Sequence, residues 1–189
     1  MPRETPDTGS VETRTLEAFA DTILPGAKRA TDDAAVAGHS PGAGSVEAGA
    51  LELLRNPATG ITSGLAEFVE LLNGHAERHA ELHGLTLTGA QPPFVQLPFE
   101  QRSALVRALT SPGHPEKEFW VMLALFCNMA YDSAAHLSTP AAIAAGHPGL
   151  RAMGFAAPDA DGLLRFKEYS YGRPLARLHP DTTASGSPA

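Results

Sequence analysis

The chain has 189 residues and a net charge of −7, from 14 Lys plus Arg against 21 Asp plus Glu, with a single cysteine, Cys127. That length fits one ordinary domain, the acidic balance excludes a dedicated nucleic-acid binder or a polybasic membrane-surface protein, and a lone thiol excludes an internal disulfide and a cysteine-built zinc site. Ala supplies 32 residues and Leu 22, whereas Val and Ile together supply 10, and Gly plus Pro reach 34, above the usual share of about 12%. The chain therefore reads as all-α, a loop-rich helical bundle.

Residues 1–12 are polar and carry Pro2, Pro6 and Gly9. They predict a disordered start with neither an apolar export segment nor a twin-arginine pair, hence a soluble, cytoplasmic protein. A single helical domain is expected over 13–181. Its first helix shows Leu16, Phe19, Ala20, Ile23 and Leu24 on one stripe, and Pro25-Gly26 stops it. Residues 26–44, rich in Ala, Gly and Asp, predict a mobile loop. Ser45 is placed to cap a short second helix on Val46, Ala50, Leu53 and Leu54, ended by Pro57. A longer helix follows from Thr62 or Ser63 to Gly84, on Leu65, Phe68, Val69, Leu72, Ala76 and His79.

The segment 85–98, with Pro92, Pro93 and Pro98, is expected to be irregular, and a helix from about Phe99 to Thr110 carries Leu105, Val106 and Leu109. From about 115 to 137 the chain is apolar on every side between Phe119 and Tyr131. That pattern predicts a buried central helix rather than a membrane span, for which it is too short. Pro140 suits the first turn of an alanine-rich helix to Ala145. Gly146-His147-Pro148-Gly149 reads as turn chemistry, and 182–189 as a disordered tail.

Two constellations bear on chemistry. His75, His79 and His83 lie at i, i+4 and i+8 on one helix face, but Ala76 and Glu77 follow His75 where the helical zinc-protease pattern needs a glutamate first, so no metal is expected. Asp132 and His136, four apart, form a pair suited to general-base work, with Tyr131, Ser133, Tyr169 and Tyr171 as hydroxyl donors. Their structural reading is attachment of the C-terminal segment to the bundle. Asn128 needs a partner if buried, and Cys127 reads as an inert packing thiol. No glycine cluster fits a nucleotide- or flavin-binding loop, so no cofactor is expected in this chain.

The segment Thr15-Leu16-Glu17-Ala18-Phe19-Ala20-Asp21-Thr22-Ile23-Leu24-Pro25-Gly26 resembles the opening helix of the gluconate 2-dehydrogenase subunit 3 family. Val46 to Leu54 is similar to that family's second segment, and Gly146-His147-Pro148-Gly149 to its late Gly-Tyr-Pro-Gly turn. The likeness covers about residues 13–155. Departures are the missing twin-arginine leader, the stretch Tyr131-Asp132-Ser133-Ala134-Ala135-His136 in place of an aromatic–glycine pattern, and the tail after Phe155. The resemblance implies a small helical accessory subunit, without a redox centre, that binds and stabilises a flavin-dependent dehydrogenase. It predicts an exposed apolar patch, along 85–98 or the Arg-Tyr-rich tail. The alternative is a cofactor-independent enzyme in which Asp132, His136, Tyr131, Tyr169 and one of His75 or His79 line a pocket for a small hydrophobic metabolite.

Overall fold

The computed structural model describes residues 10–27, 35–155 and 160. Among these the protein is all-α, with eight α-helices and no strand. They are α1 (Val11–Ile23), α2 (Ala50–Leu54), α3 (Leu65–Leu82), α4 (Pro93–Gln96), α5 (Phe99–Thr110), α6 (Lys117–Asp132), α7 (Thr139–Ala144) and α8 (Pro148–Ala152). They fall in one unit that ends at Phe155. Residues 156–189 divide off as a second unit, of which only Ala160 is described. The expected disordered tail at 182–189 and nearly all of the expected disordered start lie outside the described residues.

Helix α1 holds the central place, touching α2, α3, α4, α5 and α6. Ser10 caps it by accepting from the Thr13 N–H at 3.2 Å. Its apolar stripe is buried as the periodicity requires, but Thr15, Asp21 and Thr22 on the other side are buried too. Each has a partner. Thr22 Oγ1 donates to the Ala18 carbonyl at 2.7 Å, Asn73 Nδ2 donates to Thr15 Oγ1 at 3.3 Å, and the buried Arg102 guanidinium lies 3.7 Å from the Asp21 carboxylate. Partners of this kind, one within the helix and two from α3 and α5, let a helix that looks amphipathic be covered on more than its apolar stripe.

After α1 the chain doubles back. Val36 and Ala37 donate to the carbonyls of Thr22 and Ile23, Ser40 to that of Pro25, and Ser45 to that of Leu24, so residues 35–45 are tied to the helix end rather than hanging free. Ser45 does not cap the second helix. Its Oγ donates to the Ala20 carbonyl at 2.7 Å, and α2 starts only at Ala50 because Gly49 adopts a left-handed conformation (φ +91°). A single 3₁₀ turn at Thr62–Gly64 leads into α3, which buries Leu65, Phe68, Val69, Leu72 and Ala76 as its period predicts but Ala80 in place of the expected His79. The segment expected to be irregular contributes Phe94 and Leu97 to the core, with Pro93 starting α4.

The helix expected to run from about 115 to 137 at the centre is shorter and, among the described residues, only half covered. It ends at Asp132, where Ser133 Oγ bonds back to the Met129 carbonyl at 2.8 Å and Ala134 turns left-handed (φ +50°). Trp120, Leu123, Cys127 and Ala130 enter the core, while Val121 is 40% and Leu125 54% exposed. The described elements that follow, α7 and α8, are too short to cover its length. Phe19 and Phe68 surround Trp120, with ring centroids 6.4 and 6.2 Å away. Replacing Trp120 by Ala should lower the unfolding free energy by about 3–5 kcal/mol, read as a lower urea midpoint at unchanged slope. A midpoint within error of the parent would contradict this packing.

Candidate functional site

Glu116 occupies the position immediately before α6, and its Oε2 accepts two hydrogen bonds. One comes from the indole Nε1 of Trp120 at 2.9 Å, the other from His75 Nε2 on α3 at 2.8 Å. Arg78 approaches His75 Nδ1 at 3.0 Å. A guanidinium only donates, so Nδ1 must accept and the imidazole proton sits on Nε2, directed at Glu116. The bonds from His75 and Trp120 hold the Glu116 carboxyl below its ordinary range, against the opposing effect of burial, with a smaller electrostatic contribution from the neighbouring His75 and His114 rings. His114 accepts from the Glu116 N–H at 3.2 Å and its ring lies 5.8 Å from that of His75.

This arrangement draws His75 away from His79 and from His83, the residue that follows α3. His75 serves Glu116, His79 bonds Gln101 Oε1 at 2.8 Å, and His83 Nδ1 donates to the His79 carbonyl at 2.8 Å, its ring stacked on that of His79. Among the described residues no three His, Cys, Asp or Glu side chains converge to hold a metal ion. The Glu116–Trp120 bond was readable in principle from their i, i+4 spacing. The long-range His75 contact was not.

The second constellation is also dispersed. Because α6 stops at Asp132, His136 leaves the helix face that the four-residue spacing assumed. Asp132 accepts from Asn128 Nδ2 at 2.8 Å, which also supplies the partner expected for that amide. Tyr131 donates to Ser40 Oγ at 2.9 Å, and Ser133 is spent on Met129. Tyr169 and Tyr171 lie outside the described residues. His136 instead covers Gly49, where a Cβ would collide with its ring, and its Nδ1 is buried without a hydrogen-bond partner.

Beside it stands a residue that sequence reasoning assigned only to a turn. His147 is buried, caps α8 by accepting from the Leu150 N–H at 3.3 Å, and donates through Nε2 to the Ala48 carbonyl at 2.9 Å. Gly149 lies so close to the Tyr131 carbonyl that a Cβ would overlap it. These contacts fasten α8 to the 45–49 turn and to the end of α6, so Gly146-His147-Pro148-Gly149 is a helix start rather than a simple turn.

The apolar patch expected along 85–98 is not there. Phe94, Leu97 and Phe99 are buried, and Leu85, Leu87 and Val95 pack on the core; the Arg-Tyr-rich tail is outside the described residues. Among the described residues α6 is the one element with several exposed large apolar side chains, Phe119, Val121 and Leu125; Val11, Leu82, Leu137, Met153 and Phe155 are exposed singly elsewhere. No helix among the described residues is long and apolar enough to cross a membrane.

Residues 10–189 match the model of DUF5987, described as a family of unknown function. The chain belongs to that family. No curated protein and no solved structure matches this DUF5987 chain.

Burial pushes the His136 imidazole below its ordinary value of 6.5, the His147 charge lowers it further, and Glu52 opposes both. The folded chain thus takes up this proton less readily than the unfolded one. Its contribution is intact above about pH 6.5 and declines as pH falls from there towards the depressed folded value. His136→Gln should flatten that part of a stability-versus-pH curve measured by urea unfolding, and an unchanged slope in the variant would contradict the assignment.

Proposed function

We propose that this protein is a non-catalytic accessory subunit that binds and stabilises a flavin-dependent oxidoreductase, in line with its resemblance to the gluconate 2-dehydrogenase subunit 3 family. The observation that carries the reading is the open side of α6. A helix that supplies Trp120, Leu123 and Cys127 to the core leaves Val121 and Leu125, side by side at i and i+4, about half in solvent, and α6 is the one described element with several large apolar side chains so exposed. Adjacent exposed apolar side chains on one helix offer a surface for contact with another macromolecule. An acid–base pocket would need Tyr131, Asp132 and His136 to face one volume, and each is committed to a different neighbour.

Isolation of the full-length protein from its native host should bring down a protein with flavin absorbance at stoichiometric yield. The pair Val121→Glu and Leu125→Glu should abolish that co-purification while leaving the melting temperature of the isolated protein within a few degrees of the parent, since surface changes are usually worth less than about 0.5 kcal/mol. Recovery without flavin, or flavin recovery indifferent to both substitutions, would contradict the proposal.

A further inference from the structure

Helix α3 contains a glycine that its own fold does not require. Gly74 lies in the middle of Leu65–Leu82 in helical conformation. A Cβ placed there would meet only Arg78 Nη1, at 3.6 Å, an ordinary contact. Glycine in a helix interior is less favourable than alanine because the unfolded chain has more freedom to lose. The position therefore sacrifices helix stability and gains an open floor.

That floor belongs to a hollow of about 330 Å³ bounded by Glu67, Glu70, Leu71, Gly74 and Arg78. Leu71 also borders a second hollow of about 350 Å³, with Pro115, Glu116, Glu118 and Phe119. Leu71 lines both hollows, one beside the middle of α3 and the other beside the start of α6. Leu71 and Phe119 are their apolar parts, Phe119 being stacked on Phe68 at 3.9 Å yet still exposed on its outer side. Glu67, Glu70 and Glu118 set their charge. Glu116 is already bound by His75 and Trp120, and Arg78, the one cation among these lining residues, is engaged with His75.

The geometry points to a docking groove for a cationic amphipathic helix of a protein partner, lying close against Gly74, with apolar side chains on Leu71 and Phe119 and Lys or Arg facing Glu67, Glu70 and Glu118. This rests on the partner-binding reading above and adds the kind of segment that is gripped. The charge selects it. A neutral or acidic helix seated there would desolvate or repel three carboxylates, whereas a basic one pairs them, and the close approach allowed by glycine is what a helix laid in a groove requires.

The test uses the full-length protein and two synthetic amphipathic peptides of about 18 residues, or five turns, with the same leucine face and either lysine or glutamate elsewhere, titrated by fluorescence anisotropy. The lysine peptide should bind at least about tenfold more tightly than the glutamate one, and less tightly as salt rises. Gly74→Leu, which fills the groove without changing charge, should cost about tenfold or more in that affinity. Gly74→Ala should raise the melting temperature. Should Gly74→Leu fail to fold, the pair Glu67→Lys and Glu70→Lys must show the loss instead. Equal binding of the two peptides, or affinity indifferent to these variants, overturns the groove. So does a dimer in sedimentation that Gly74→Leu dissociates, since a second copy would then be the occupant. If the groove variants are silent while Val121→Glu with Leu125→Glu still releases the flavoprotein, this inference fails and the accessory reading stands.

Discussion

The orientation of α6 depends on one hydrogen bond. A fully buried indole must find an acceptor for its N–H, and an unmet buried donor costs about 1–3 kcal/mol. Trp120 finds it one turn back, in the carboxylate of Glu116, which His75 holds from α3. An ionised acceptor shared by two donors is stronger and more directional than a neutral one. With Trp120 fixed inward among Phe19 and Phe68, the helix has no freedom to rotate, and the residues at 121 and 125 must face outward. The apolar surface of α6 is therefore a consequence of how its core face is anchored.

The other end of α6 is closed by backbone proximity rather than by charge. Tyr131 reaches Ser40 through its hydroxyl and receives Gly149 against its carbonyl, while His136 and His147 lie over the 45–49 turn. Short elements such as α7 and α8 bury little apolar area, and such elements are held mainly by specific contacts of this kind. Of the residues that most resemble catalytic machinery in the sequence, Tyr131 and His136 take part in that attachment, while Asp132 bonds Asn128 within α6. Tyr131 and Asp132 have their side-chain oxygens engaged, whereas His136 contributes its ring over Gly49 and keeps a buried Nδ1 without a hydrogen-bond partner.

Much of the architecture was legible because it is local. The stripes of α1 and α3, the proline-led start of α7 and the bounds of α5 follow from spacing and capping chemistry that involve only near neighbours in sequence. What was not legible depends on contacts across the chain. Ser45 is a plausible cap in isolation, yet its hydroxyl is drawn to Ala20, twenty-five residues away. Phe94 and Leu97 sit in a proline-rich stretch without periodicity, and only the tertiary fold shows that they belong to the core. The continuous apolar run of α6 was read as burial on all sides, because a sequence cannot reveal how many neighbours a helix has. The Asp132–His136 pair failed as a helical spacing because Ala134 turns left-handed, a conformation alanine rarely signals.

The claim on which this account turns is that α6 has one closed and one open side in the native protein, and thiol accessibility measures it directly. Cys127, the only native thiol, is fully buried and its pKa is pushed up to about 12 by desolvation, so it should remain unmodified by a thiol reagent until the protein unfolds. A cysteine introduced by Val121→Cys or Leu125→Cys should react at the rate of a solvent-exposed thiol under the same native conditions. Rapid modification of Cys127 in the folded protein, or protection of both introduced cysteines, would contradict the account.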